Sequence, residues 1–162
     1  MEVSEKEWLE NNRYYEKIDD SKLYSIFYFS LIWNIFEKEL CDKDGRISVH
    51  PTKLSTRYAE KANKDHVSNI FGYFQDRYVL NENKTEKYQS FEFKSVDIKN
   101  EVFECLIIDK PTVEQKLKTL LQIAFRLRNN LFHGEKQVAI LYEQNENFRQ
   151  INLLLTHLID MK

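Results

Sequence analysis

Hydrophobic residues recur mainly at helical spacing along the chain, and the longest such run predicts an amphipathic helix over residues 112–134. Its apolar side chains lie three or four positions apart: Val113, Leu117, Leu120, Ala124, Leu127 and Leu131. A stripe of this kind places one side of a helix on a core. Pro111 and Thr112 precede the run and Gly134 follows it, and these residue types mark a helix start and a helix end.

A second apolar run, residues 21–40, is hydrophobic on nearly every side. We expect Ser21 to cap this helix. A helix that is apolar all round packs at the centre of a bundle, where it contacts neighbours on more than one face. Its aromatic side chains are therefore expected in the core or in a contact with a second copy of the chain.

Shorter helical patterns complete the predicted bundle. Two helices, over about 52–63 and 66–78, share a set of expected buried positions: Leu54, Tyr58, Ala62, Val67, Ile70, Phe71 and Phe74. No turn glycine separates them, which argues against a DNA-binding helix-turn-helix. A final helix buries four side chains: Phe148, Ile151, Leu155 and Leu158. Residues 1–20 are charged and predict a short helix followed by a loop.

Residues 79–109 break the helical rhythm. A polar stretch is followed by loose alternation between Tyr88 and Phe93, and then by a short apolar run from Val102 to Ile108 that is rich in β-formers. The pattern predicts a small irregular or β-hairpin insertion. The sequence as a whole predicts a mostly all-α fold, an antiparallel helical bundle in a single domain over residues 1–162.

Composition narrows the class of protein. Only 3 Gly and 2 Pro interrupt the chain, which favours long helices, and 162 residues suit one domain. The net charge of -2 excludes a uniformly basic surface but allows a local basic patch. Cys41 and Cys105 are too few for a disulfide scaffold or a thiolate zinc site.

The first residues lack a signal-peptide core, and the apolar stretch 23–36 is short for a membrane span. We expect a cytoplasmic protein with no membrane contact.

The polar end of the predicted long helix carries the candidate chemistry. Arg128 and His133 are five positions apart, which places them about 140° apart around an ideal helix axis. Asn129 and His133, at i and i+4, share a face. Arg128 and His133 therefore converge only if the helix distorts before Gly134, or if a second copy brings the complementary residue.

These residue types suit phosphodiester chemistry. An imidazole can take a proton from a ribose 2′-OH or give one to a departing 5′ oxygen, and a guanidinium can hold phosphate oxygens. Asn129 can orient the imidazole or bind substrate. Attack by the 2′-OH needs no metal ion or cofactor, and it limits cleavage to RNA. The candidate substrate-binding residues are Asn130, Arg126 and Lys136. The alternative interpretation is structural: a cation near a helix C-terminus followed by a glycine cap.

The string RNNLFH at residues 128–133, continued by Gly134 and Glu135, resembles the Arg-x4-6-His motif of HEPN domains. It is most similar to HEPN proteins of prokaryotic defence and toxin systems, including the ApeA-like group. The resemblance implies a helical bundle that forms a homodimer, with two motifs in one composite cleft. It also implies metal-independent endoribonuclease activity, with Arg128 and His133 as catalytic residues and Asn129 in support.

The function expected from this resemblance is that of a toxin or an anti-phage abortive-infection effector. It would cleave RNA to a 2′,3′-cyclic phosphate and a 5′-OH, and its partners would be RNA, a second copy and an antitoxin or another defence-system protein. The alternative is a non-catalytic HEPN-like interaction module, or a regulatory partner within a defence operon.

Overall fold

Helices make up most of the part of the chain that the structure describes. The computed structural model describes residues 4–11, 17–41, 50–93, 95–132 and 138–162. Within these ranges the elements are the following: α1 Glu5–Asn11, α2 Tyr24–Leu40, α3 His50–Tyr58, α4 Lys64–Tyr78, strands β1 Val79–Leu80 and β2 Asn83–Lys84, α5 Glu86–Gln89, α6 Val96–Ile107, α7 Val113–Phe132 and α8 Val138–Asp160. The predicted mostly all-α class and the helical bundle are confirmed.

The predicted long helix forms as α7, and its first turn is closed by a capping box. Thr112 Oγ1 accepts a hydrogen bond from the backbone N–H of Gln115 at 3.2 Å. In return, Gln115 Oε1 accepts one from the backbone N–H of Thr112 at 2.8 Å. Two of the donors that a helix start leaves unpaired are thus satisfied. The central members of the predicted stripe are fully buried: Leu117, Leu120, Ala124 and Leu127.

α3 and α6 run antiparallel to α7. On one side Thr56 of α3 donates to Glu114 at 2.6 Å, near the start of α7. His50, the first residue of α3, stacks on Phe125 with ring centroids 6.2 Å apart. On another side Gln122 donates to Glu101 of α6 at 2.7 Å. α7 therefore packs between α3 and α6.

The last helix, α8, brings together the early helices. Against α4 it runs antiparallel, since Tyr73 contacts Asn147 whereas Asn63, which caps the start of α4, contacts His157. Against α2 it runs parallel, since the start of α2 bonds to residues 145 and 152 of α8 and Glu39 pairs with Lys162. This parallel pair differs from the all-antiparallel arrangement predicted from the sequence.

α2 is buried on one side only. Its inner residues are in the core: Ile26, Phe29, Trp33, Phe36 and Leu40. Its outer residues are about half exposed: Tyr24, Phe27, Tyr28, Leu31 and Ile35. Among the described residues α2 thus packs on one face, whereas the sequence predicted contacts on more than one face. Ser21 is not its cap, because Asp19 accepts from Ser21 and caps a separate 3-10 turn, Asp20–Lys22.

The segment 79–109 contains a hairpin, but it is mainly helical. β1 and β2 pair antiparallel around Asn81 and Glu82, whose φ angles of 49° and 61° are typical of a type I′ turn. The expected β-rich run from Val102 to Ile108 instead forms the second half of α6, up to Ile107. Ser95 caps this helix by accepting from the backbone N–H of Asp97 at 3.2 Å. The strand prediction there is wrong because α6 buries Val102, Cys105 and Leu106, which share one helical face.

Candidate active site at the end of α7

The candidate residues lie at the end of the bundle where α7 ends and α8 begins. The last turn of α4 lies there too, because Arg77 Nη2 donates to the backbone carbonyl of Glu143 at 2.9 Å. α2 begins at this end, since the backbone N–H of Ser25 donates to Asn145 at 3.3 Å. The end of α4 and the starts of α2 and α8 therefore lie at the same end of the bundle as the polar tip of α7.

Arg128 is half-buried, and residues of its own helix hold its guanidinium. Nη1 donates to Asn129 Oδ1 at 3.2 Å. The Cζ atom lies 5.6 Å from the centre of the Phe132 ring, which is within the range of a cation–π contact. Its Nε is buried and finds no hydrogen-bond acceptor within the described ranges. The guanidinium thus contacts two residues of α7, while its Nε–H has no acceptor among the described residues.

Arg126 and Asn130 lie one turn apart on a different face of α7. On an ideal helix their face is about 160° to 200° around the axis from Arg128. The Arg126 side chain is only 16% exposed, and its Nη2 lies 3.9 Å from the Glu92 carboxylate. Asn130 Nδ2 is buried and has no hydrogen-bond partner in the described part of the chain. The structure thus joins Arg128 with Asn129 but does not bring Arg126 and Asn130 to the same side.

Two of the predicted site residues, His133 and Lys136, lie outside the described residues, as does Gly134. The predicted meeting of Arg128 with an imidazole therefore stays a prediction. α7 is helical through Phe132. Asn129 precedes His133 by four positions in the sequence, and its support of His133 also stays a prediction.

A buried polar network stabilises the same end of the bundle. Asn147 of α8 is fully buried; it accepts from the Tyr73 hydroxyl at 2.8 Å and donates to the Tyr78 hydroxyl at 3.1 Å. Burial raises the pKa of Tyr78 far above its ordinary value, so this hydroxyl stays neutral. The network fixes α4 against α8. Sequence reasoning did not find it, because the partners are about 70 residues apart.

A group of cations near Arg126 was also missed from the sequence. Lys99 of α6 lies 5.8 Å from the ring centre of Tyr88 and donates to a backbone carbonyl. Burial lowers the pKa of Lys99 first, and the nearby charges of Lys84 and Arg126 lower it further, while Glu92 opposes them. The sequence analysis assigned no helix to residues 96–107, so it could not show that Lys99 and Arg126 come close.

Within the described ranges, no three His, Cys, Asp or Glu side chains are placed so that they could hold a metal ion. In the same part of the chain, no helix is both long and apolar enough to cross a bilayer. Comparison of the chain with protein-family models, with characterised proteins and with solved structures finds no significant match.

Proposed function

We propose that the chain is a metal-independent endoribonuclease whose catalytic residues are Arg128 and His133. The observation that supports this most directly is the state of Arg128. Its guanidinium is held between Asn129 and Phe132 at a helix end, and its buried Nε–H has no acceptor in the part of the chain that the structure describes. A phosphate oxygen is the kind of acceptor that a guanidinium prefers.

In the proposed reaction the imidazole of His133 removes the proton from a ribose 2′-OH. The 2′ oxygen then forms a bond to phosphorus, and the bond from phosphorus to the 5′ oxygen breaks. That oxygen takes a proton from an imidazolium, which leaves a 2′,3′-cyclic phosphate and a 5′-OH. A neutral and a protonated histidine are both populated near neutral pH, because the ordinary pKa of histidine is about 6.5.

Arg128 and Asn129 act together in this proposal. The guanidinium binds the phosphate oxygens that gain charge in the transition state. The Asn129 oxygen accepts from Arg128, so its amide N–H groups are directed elsewhere and are available to orient His133 or to bind the substrate. Asn130, Arg126 and Lys136 are proposed to bind RNA outside the reacting linkage.

The proposed biological role is that of a toxin or an abortive-infection effector. It rests on the resemblance of RNNLFHG to the HEPN motif and on the mostly helical bundle that carries it. An endoribonuclease that cuts cellular RNA stops growth, so such a protein would be kept inactive by an antitoxin or by another defence-system protein until it is triggered.

Cleavage of total RNA in EDTA tests the activity. We expect the wild-type chain to cut, Arg128→Ala to be at least about 100-fold slower, and His133→Ala to lose about 100-fold or more. Arg128→Lys keeps the positive charge but loses the bidentate guanidinium. Its cleavage rate should therefore lie between those of the wild type and Arg128→Ala. The matched control is Arg57→Ala. Arg57 is an exposed arginine beside Thr56, which bonds to the opposite end of α7.

Cutting that persists unchanged in both alanine variants would remove these residues from the mechanism. A second candidate function is a non-catalytic interaction module. The contacts of Arg128 with Asn129 and Phe132 favour it, since they also suit a purely structural arginine at a helix end. Failure of the wild-type chain to cut any RNA, with normal folding of every variant, would support the module.

A further inference from the structure

The outer face of α2 is an apolar stripe whose side chains are about half exposed. Its exposed fractions are 59% for Tyr24, 60% for Phe27, 49% for Tyr28, 52% for Leu31 and 50% for Ile35. These positions recur at helical spacing, so they lie on one side of the helix. Their direction is opposite to that of Phe29 and Trp33, which enter the core. The stripe is thus separate from the surface that holds α2 in the bundle.

The size of the stripe is close to what a specific interface needs. Five large side chains, each about half exposed, present about 500 Å² of mainly apolar surface. Two such faces together bury about 1,000 Å², the lower end of the range for specific protein interfaces. An apolar patch of several hundred Å² on the surface of a soluble chain marks an interaction site.

The charge pattern favours a second copy of the chain as the occupant. Residues 24–36 contain no charged side chain, so a two-fold contact between identical stripes sets neutral groups against neutral groups. Tyr24, Tyr28 and Asn34 supply polar groups that can pair across such a contact. A helix that binds a lipid surface instead carries Lys and Arg beside its apolar face. The only cation of α2 is Lys38, and it lies between Glu37 and Glu39.

We propose that two copies of this chain associate through the α2 stripe in an isologous contact that includes Leu31. The proposal is independent of the ribonuclease chemistry, because it concerns a surface that faces away from the core. It bears on the composite site in one respect. α2 begins at the end of the bundle where α7 ends. Parallel packing of the two α2 helices would therefore place both α7 ends at the same end of the dimer, whereas antiparallel packing would separate them.

Sedimentation of the full chain over a range of concentrations tests the association. We expect a dimer at tens of micromolar. Leu31→Arg places like charges across the two-fold contact, so its dimer dissociation constant should rise at least about 100-fold. The matched control is Val96→Arg. Val96 is 73% exposed and lies on α6, outside the stripe. Far-UV circular dichroism should be the same for all three proteins, since both positions are exposed.

Cysteine cross-linking shows which faces meet. In a Cys41→Ser background, Leu31→Cys should form a disulfide between two copies, whereas Val96→Cys should not. Tyr24→Cys should cross-link to itself only if the helices pack in parallel. Cross-linking at Leu31 but not at Tyr24 would support the dimer with antiparallel α2 helices. That arrangement separates the two α7 ends, so it would contradict a composite ribonuclease site.

Two outcomes would overturn the proposal. The first is a wild-type chain that stays monomeric at every concentration, whether or not its stripe binds phosphatidylcholine–phosphatidylserine vesicles or a different protein. The second is a dimer that Leu31→Arg and Val96→Arg leave equally stable. Because neither measurement uses RNA, the association can be rejected while ribonuclease activity stands, and the reverse also holds.

Discussion

Two histidines contact each other where the start of α4 meets the second half of α8. The rings of His66 and His157 are 4.9 Å apart between centroids. His157 Nε2 accepts a hydrogen bond from the backbone N–H of Asn63 at 3.1 Å. A nitrogen that accepts must be unprotonated, so protonation at that nitrogen competes with this contact. Burial first, and the nearby His66 second, lower the pKa of His157, while Asp160 opposes them.

We expect the free energy of unfolding to fall as the pH is lowered from about 7 towards 5. The unfolded chain protonates His157 near pH 6.5, whereas the folded chain does so only at lower pH. Between these values the unfolded state binds more protons, so stability increases with pH there and is lost as the pH falls. His157→Gln keeps an acceptor for Asn63 but does not titrate. Urea unfolding at pH 7.5, 6.5 and 5.5 should give a smaller pH dependence for this variant, and an identical dependence would contradict the argument.

At the scale of single residues, the sequence predicts contacts within one helix and not those between helices. Phe132 follows Arg128 by four positions, so its contact with the guanidinium follows from helix geometry. The bond from Tyr73 to Asn147 does not, because it depends on how α4 packs against α8. No local pattern indicates which distant partner a buried asparagine will find.

Among the elements, α7 is predictable because three independent signals agree over its length. Its apolar stripe, its capping box and its terminal residue types all indicate the same helix. α6 is not predictable in this way, because its β-branched and aromatic residues favour a strand locally. It forms a helix because that conformation buries its apolar face against α7. The outer face of α2 also differs from what its residue types predict. Its apolar side chains indicate burial, but they are about half exposed, and no described neighbour covers them fully.

The capping box of α7 is expected to contribute measurably to stability. Thr112→Ala removes the acceptor for the backbone N–H of Gln115, so it should lower the free energy of unfolding by about 1 kcal/mol. Gln115→Ala should lower it by less, and the double variant should cost less than the sum of the two, because the bonds are reciprocal.

Chemical denaturation checks these values. Thr156→Ala is a suitable control, because its hydroxyl bonds to carbonyls of its own helix, near the end of α8. That variant should change the free energy by a few tenths of a kcal/mol at most. Equal effects at Thr112 and Thr156 would show that the capping box contributes nothing specific.

Across the whole molecule, one aromatic side chain joins three helices. Phe125 of α7 contacts Trp33 of α2 edge to face at 4.8 Å between ring centroids and stacks on His50 of α3 at 6.2 Å. It also lies 6.4 Å from Phe36. Since α2 and α3 are both far from α7 in sequence, this cluster fixes the tertiary arrangement just before the polar tip of α7.

Phe125→Ala should lower the free energy of unfolding by about 3–5 kcal/mol, because it leaves a cavity among these rings. The loss should be visible in the emission of Trp33, which is buried against Phe125. The control is Phe132→Ala in the same helix. Phe132 is 57% exposed, so its loss should cost about 0.5 kcal/mol or less. If Phe125→Ala lowered the free energy of unfolding by no more than Phe132→Ala does, Phe125 would not be central to the packing of these helices.

The parallel packing of α2 on α8 has a consequence for how the chain is made. Phe29 packs on Phe148 with ring centroids 4.8 Å apart, and the start of α2 bonds to a residue 120 positions later. During translation, the inner side of α2 emerges from the ribosome long before the surface that buries it. Until then the nascent helix presents hydrophobic groups all around its circumference, which makes it a natural substrate for chaperones that bind unfinished chains.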